Sequence, residues 1–290
     1  MELKTLEEIE GMHRAGAFVS KVFRNRLVAD METIIDEDRT VSHEAIAAAV
    51  EEVFDDPRKL WDQSEPGDVR VVYPPIVQSG GKYDLKPGVQ SNSDALKYDV
   101  IICSLGAELK GYSAAIARTF FIDPAESMKE SYELLREAHD LCAKELRPGK
   151  TIATVVETIY AFIQSRDTRL FGKLTKNLGF GIGSEFSESR YPLSVENTTV
   201  VAEGMAFNLA FGFQDIPIEQ WKIDNYTIYM ADTVMVMENE TTYVTNASKL
   251  WDKVNYTIED DVRISDQSSP AMTIERFWAI SSYRNPQDLE

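Results

Sequence analysis

The chain has 290 residues, of which 30 are Lys or Arg and 48 are Asp or Glu, giving a formal net charge of −18. With 43% hydrophobic and 10% aromatic residues it can bury a sizeable core, so the acid excess decorates a folded surface and disorder as the main state is excluded. Such a surplus repels phosphate backbones, whose binding needs clustered Lys and Arg, so a basic partner is expected and direct DNA or RNA binding is not.

Between about residues 6 and 31, Ile9, Met12, Ala15, Val19, Val22, Phe23 and Leu27 recur at helical spacing and predict one long amphipathic helix. Thr40 or Ser42 can cap a second helix, which carries Ile46, Val50 and Phe54 on one side and ends before Pro57. The stretch VRVVYPPIVQSGG has the β-branched content of a strand, with its prolines and glycines punctuating a loop. Residues 98–122 hold two apolar runs joined by a short segment containing Gly106 and Gly111, a hairpin pattern.

A helix with Met128, Tyr132, Leu135, Cys142 and Leu146 on its apolar side follows, stopped by Pro148 and Gly149. Thr151 opens another, with Ile152, Val155, Ile159 and Phe162 turned inward. Beyond Lys173 come the glycine-rich NLGFGIGSEF and strand candidates at residues 199–201, 205–213, 226–237 and 242–245. Helices and strands are segregated along the chain, so the fold class is α+β. Residues 1–248 read as one domain and 249–290 as an acidic, partly irregular extension, in which Trp251, Phe277 and Trp278 argue against complete disorder.

Three histidines and two cysteines are too few for zinc ribbons, disulfide scaffolds or histidine-rich metal centres. Cys103 and Cys142 read as reduced, buried thiols. The polar N-terminus MELKTLEEIE lacks the pattern of a signal peptide, and no stretch approaches the ~18 apolar residues of a membrane span, so an intracellular, soluble protein with no membrane contact is expected. No Lys-Ser/Thr pair follows the glycines of NLGFGIGSEF, which makes them a turn and not a phosphate loop. His13, His43 and His139 fall on predicted helices away from the glycine-rich and strand segments and are assigned to no site.

Four segments, GYSAAIARTF, NLGFGIGSEF, GMAFNLAF and YTIYMADTVMV, in that order and at those separations, carry more than composition does. Together they resemble the C-terminal domain of the pita-bread metallopeptidases, the methionine and proline aminopeptidases and creatinase, over roughly residues 5–248. The resemblance implies a curved, mostly antiparallel sheet with helices on its outer face. It also implies five ligands, two Asp, one His and two Glu, that hold paired divalent metals and so activate a water for attack on a peptide carbonyl.

On this sequence those five positions fall at Ser104, Ala115, Phe180, Ala210 and Ala231, and a second, catalytic His falls at Ser187. None supplies a carboxylate or an imidazole, so the resemblance implies a pseudo-peptidase with no catalytic residue, no metal and no other cofactor. Neither Ser104 nor Ser187 has a histidine base in the motifs, so neither reads as a replacement nucleophile. Phe180 reads as an aromatic filling the volume of a lost ligand and its metal. The candidate groove-lining residues are Ser104, Tyr112, Ala115, Arg118, Phe180, Ser187, Ala210 and Ala231.

The strings YPPIVQSGG, KNLGFG and IARTFFIDP narrow the likeness further. They resemble the large-subunit family of the FACT histone chaperone, the suppressor-of-Ty-sixteen family. That resemblance implies a non-catalytic histone- or peptide-binding module in nuclear chromatin, serving nucleosome reorganisation in transcription, replication and DNA repair. The partners it implies are core histones, with the small FACT subunit present in the complex but not contacted by this portion. The alternatives are a metallo-aminopeptidase with a displaced metal site and an RNA- or ribosome-associated pseudo-peptidase, the latter disfavoured by the acid excess.

Overall fold

The Thr5 side chain accepts from the backbone of Glu8, and the Glu8 carboxylate accepts from the Thr5 N–H at 2.7 Å, a capping box that starts the first helix. The computed structural model describes residues 5–62, 67–86, 88–184, 186–219 and 221–258, with the side chains of 188–190 excepted. In place of one long helix it has α1 (Leu6–Val22), a π-helical turn (Phe23–Val28) and α2 (Ala29–Asp36). The wide turn resets the helical face, so that Val19, Val22, Phe23 and Leu27 and then Met31, Ile34 and Ile35 all stay buried in one core. Arg26 in that turn donates to Ala49 O from two nitrogens, at 3.3 and 3.2 Å. Of the two candidate caps it is Ser42 that opens α3 (His43–Asp55), and Pro57 begins a short 3-10 turn.

The sheet contains β1 (Val69–Gln78), β2 (Val100–Leu109), β3 (Tyr112–Ile122), β4 (Gly179–Gly181), β5 (Glu188–Pro192), β6 (Ala206–Pro217), β7 (Asn225–Val236), β8 (Thr241–Tyr243) and β9 (Asn255–Tyr256). Their spatial order is β1-β2-β3-β7-β6-β4-β5, with β8 on β7 and β9 on β3. Every pairing is antiparallel except β3 with β9. Between the hairpin and β4 lie α4 (Glu126–Glu145), α5 (Ile152–Arg166) and α6 (Thr168–Phe171). The helices pack on one face, α1 on β2 and β3, α3 on β1, and α4 on β6 and β7. This is the expected α+β arrangement, and it leaves the opposite face of the sheet to form a groove.

Three local readings change. Pro74 and Pro75 do not begin a loop: β1 runs through both, with register shifts on either side of Tyr73, which an edge strand tolerates because its outer N–H groups need no ladder partner. Gly179 and Gly181 of NLGFGIGSEF form β4 instead of a turn. Gly179 sits at φ +138, and a Cβ there would lie 2.0 Å from Asn208 O of β6, so only glycine permits this close pairing. Residues 199–201 make a single bridge between Val200 and Thr151 and no strand, whereas β5 forms a few residues earlier.

Cys103 and Cys142 are free and buried, and burial pushes the Cys142 thiol up to about 12. Past residue 248 the chain continues along the same sheet. Trp251 packs on Phe121 and Tyr132 with ring centroids 5.0 and 5.7 Å away, and β9 then pairs with β3. The compact unit therefore runs to Ile258, and the rest of the expected extension, with Phe277 and Trp278, lies outside the described residues.

Candidate functional site

Register brings the sequence-predicted positions together. Ser104 on β2 lies opposite Ala117 on β3, Ala117 opposite Ala231 on β7, and Ala231 opposite Ala210 on β6. A single cross-strand row on the groove face thus reads Ser, Ala, Ala, Ala. Ala115 shares that face two residues away, because strand side chains alternate with period two. Among the described residues, no group of three or more His, Cys, Asp or Glu side chains comes together as a metal-binding set.

Aromatic rings fill the space above the row. Phe180 packs on Ala117, Ala210 and Ala231 together with Tyr229. Phe186 stands edge-on to Phe180 at 5.2 Å and to Tyr73 at 5.1 Å, and Tyr73 covers Ala115. The Tyr73 ring fits because residue 106 on β2 is glycine; a Cβ there would lie 2.3 Å from it. The Tyr73 and Ser104 hydroxyls hydrogen-bond each other at 2.8 Å, while burial holds the Tyr73 pKa up to about 12. What is left is a shallow space of about 30 Å³, with Ile76, Ile102 and Leu85 completing its apolar wall and Asp84 and Lys86 at its edge.

Backbone ties hold this face in register. Thr119 Oγ accepts from Tyr229 N–H and donates to Tyr229 O, each at 2.8 Å. Thr233 Oγ does the same for Ala115, at 2.9 and 3.2 Å. With its amide nitrogen turned toward them, Asn208 donates to Ala115 O at 3.3 Å and to Asp232 O at 3.2 Å.

Three expected lining residues lie elsewhere. Ser187 is exposed just before β5. Tyr112, at the start of β3, packs against Gly11 of α1 and borders a separate hollow with Glu7, Glu10, Arg14 and Lys110. Arg118 is the clearest correction: it is out of phase with Ala115 and Ala117, so it faces the helices. It is 1% exposed, and its guanidinium reaches Asp232 at 2.9 Å and the carbonyls of Ala117, Ala231, Ala247 and Ser248 at 2.6–3.2 Å.

His139 was placed away from the motif strands, yet α4 lays it across them. It is fully buried, stacked on Phe211, with Nε2 donating to Leu209 O at 3.3 Å and Nδ1 4.0 Å from Asp232 Oδ2. Burial, then the nearby Lys249 and Arg118, push its pKa well below the usual histidine range, so it is a neutral core imidazole on the helix side. Tyr73, Phe186, Tyr229, Asn208 and Ala117 complete the groove and were not singled out by sequence. Only Ala117 had a local signal, its two-residue offset from Ala115.

The model for metallopeptidase family M24 matches residues 10–266. The chain is 35% identical over 265 residues to FACT complex subunit SPT16 of Zea mays, covering 89% of this chain and 25% of that protein. With FACT complex subunit SPT16 of Oryza sativa subsp. japonica it is 36% identical over 279 residues, covering 94% and 26%. It therefore spans about a quarter of the length of these relatives. Among solved structures, the N-terminal domain of FACT complex subunit SPT16 from Cicer arietinum superposes with TM-score 0.84 at 36% identity, over 87% of this chain and 61% of that one. X-Pro aminopeptidase from Thermotoga maritima superposes with TM-score 0.69 at 23% identity, over 88% and 64%, a likeness of fold alone. The pita-bread sheet, the groove on its inner face and the match across most of the sequence have one conclusion: this chain belongs to metallopeptidase family M24.

Proposed function

We propose that this chain is a non-catalytic binding module of a FACT-type histone chaperone, acting on core histones in nuclear chromatin. The carrying observation is the combination of close likeness to SPT16 N-terminal domains with a groove whose five implied ligand positions hold Ser104, Ala115, Phe180, Ala210 and Ala231. Those residues do not fit a divalent metal pair. Four carry no donor, and the Ser104 hydroxyl is engaged by Tyr73. The compact unit that ends at Ile258 acts as the module, and the acid-rich sequence from Glu259 on as an extension. The small FACT subunit belongs to the same complex without touching this portion.

Charge supports a basic partner. Glu7, Glu10, Glu37, Asp38, Glu44, Glu52 and Asp55 are exposed on the helical layer of α1 to α3 and its connections. Such a surface attracts a polycation over about 8 Å at physiological ionic strength, speeds its docking and competes with DNA for it. The test is binding of the purified chain to core histones across a salt series. Binding at low salt that weakens steeply as salt rises is expected, and no detectable binding at low salt overturns the proposal. Elemental analysis and assays on short peptides should give no stoichiometric metal and no turnover; stoichiometric Mn, Zn or Co with hydrolysis would reinstate a peptidase.

A further inference from the structure

One side chain joins the first turn of α3 to two other segments. His43 is 2% exposed, with Nδ1 2.7 Å from Asn92 Oδ1 and Nε2 2.7 Å from Ser79 Oγ, just past the end of β1. Its tautomer follows from these partners. Asn92 Oδ1 also accepts from the Asp94 N–H at 3.1 Å, so it is an acceptor toward His43 as well; Nδ1 therefore carries the proton and Nε2 accepts from the Ser79 hydroxyl. Ser79 Oγ in turn accepts from the Lys97 N–H at 2.8 Å. Main-chain bonds run beside it, His43 N–H to Asp94 O, Glu44 N–H to Asn92 O and Leu96 N–H to Val41 O, at 2.9–3.0 Å. The segment held in this way, residues 91–97, covers the outer edge of β1, where Ser91 Oγ accepts from the Val77 N–H at 2.9 Å and donates to Pro75 O at 3.1 Å.

We propose that His43 is a proton-sensitive pin: neutral, it fastens residues 91–97 over the outer edge of β1, and on protonation it lets that segment go. The second proton goes to Nε2, the atom that now accepts. Nε2–H and the Lys97 N–H then both point at Ser79 Oγ, and the Ser79 hydrogen loses its acceptor. The imidazolium is also buried, which opposes its charge. Of the charges facing it, Asp94 favours the imidazolium but lies 3.8 Å from Lys82, and Lys97 opposes it; burial outweighs them and holds the His43 pKa below the usual histidine range. On the other side of the turn, Asp99 Oδ1 accepts from the Gly80 N–H at 3.1 Å. Burial holds Asp99 up to about 6, so a proton there relieves a buried charge where one on His43 creates it, and the release is one-sided. Freed of residues 91–97, the Val77 N–H and Pro75 C=O become an unpaired strand edge beside Tyr73, Ile76 and Gln78 of the candidate site. The pin acts independently of what the module binds.

The test is native-state hydrogen exchange of the full chain between about pH 5 and 7.5, with intrinsic exchange rates divided out. The unaltered chain is compared with His43→Gln, which can hydrogen-bond but not titrate. A folded-state pKa held low makes the neutral pin's contribution present above about 6.5 and lost as pH falls below it. The opening constants at the amides of Val77, Leu96 and Lys97 should therefore rise below about pH 6.5, by at most ~10-fold per unit, the limit for one proton. In His43→Gln that part of the rise should vanish, and an unchanged rise overturns the inference. So does protection at Val77 equal to that at Ile159 of α5 at every pH, which would mean that the junction opens only when the whole chain unfolds. Should His43→Gln not fold, Asn92→Asp sets a carboxylate against Nδ1–H and favours the imidazolium, so it should blunt the rise. A slope that Asn92→Asp leaves unaltered overturns the pin, since a merely structural His43 would behave in that way. The ring 15N shifts of His43 at about pH 7.5 should show the proton on Nδ1; a proton on Nε2 overturns the assignment on which the pin depends.

Discussion

Strands β3 and β7 carry different populations on their two faces. Toward the helices, Arg118 and Asp232 form a buried ion pair, Thr245 donates to the same Asp232 oxygen at 2.9 Å, and His139 closes the layer. Toward the groove the same strands show Ala115, Ala117 and Ala231. One residue of offset separates a charged, multiply bonded layer from a neutral one. The charged layer joins parts of the chain far apart in sequence, since Arg118 binds the carbonyls of residues 247 and 248 as well as its own strand pair. The neutral layer also draws on distant segments, but through ring contacts and uncharged hydrogen bonds. In this molecule, buried charge marks structure and its absence marks the candidate site.

The largest effect that could break this contrast is loss of the guanidinium. Arg118→Ala leaves Asp232 buried without its partner and should destabilise the chain by about 3–5 kcal/mol, read by urea unfolding. A cost no greater than that of a groove substitution would mean that the two faces are energetically alike. Gly106→Ala pushes a methyl into the Tyr73 ring and should cost about 1–3 kcal/mol, with the Tyr73 to Ser104 bond perturbed.

The third check uses pH. Because the folded state holds the His139 pKa low, the unfolded chain binds the proton first, so this residue's contribution to stability is present above the usual pKa of about 6.5 and is lost as pH falls below it. Compared with His139→Phe, the unaltered chain should lose up to about 1.4 kcal/mol more per pH unit below 6.5, in paired denaturation curves. The buried Asp99, held up to about 6, acts in the opposite sense between about 4 and 6 and cancels in that difference. Smallest is Ser104→Ala, which removes one hydroxyl pair and should cost about 0.5–1.5 kcal/mol. That cost should not change between pH 5 and 8, since Tyr73 does not titrate there.

Much of this was legible in local pattern. The hairpin of β2 and β3, the helices α4 and α5 with their Thr151 cap, and the long strands β6 and β7 follow from periodicity and turn residues. The π-helical turn was not, because the extra residue alters the spacing of apolar positions by less than a helical face is wide. Strand β4 was hidden by glycines whose purpose is visible only against Asn208 O. Arg118 was misplaced by reading nearness in sequence as nearness in space; strand alternation from Ala115 would have turned it to the other face. Tyr73 and Phe186 meet above the alanine row from distant segments, and no short-range signal announces such a meeting.

The alanine row also bears on how freely this molecule could change. A lone carboxylate introduced at Ala115, which has no exposure, or at Ala231, with 3%, would be a buried charge without metal or counterion. Each first step toward a donor set is therefore penalised before a second can help it. Drift among small neutral residues at these positions is cheap by comparison, so the row acts as a ratchet that keeps the groove uncharged over generations of substitution.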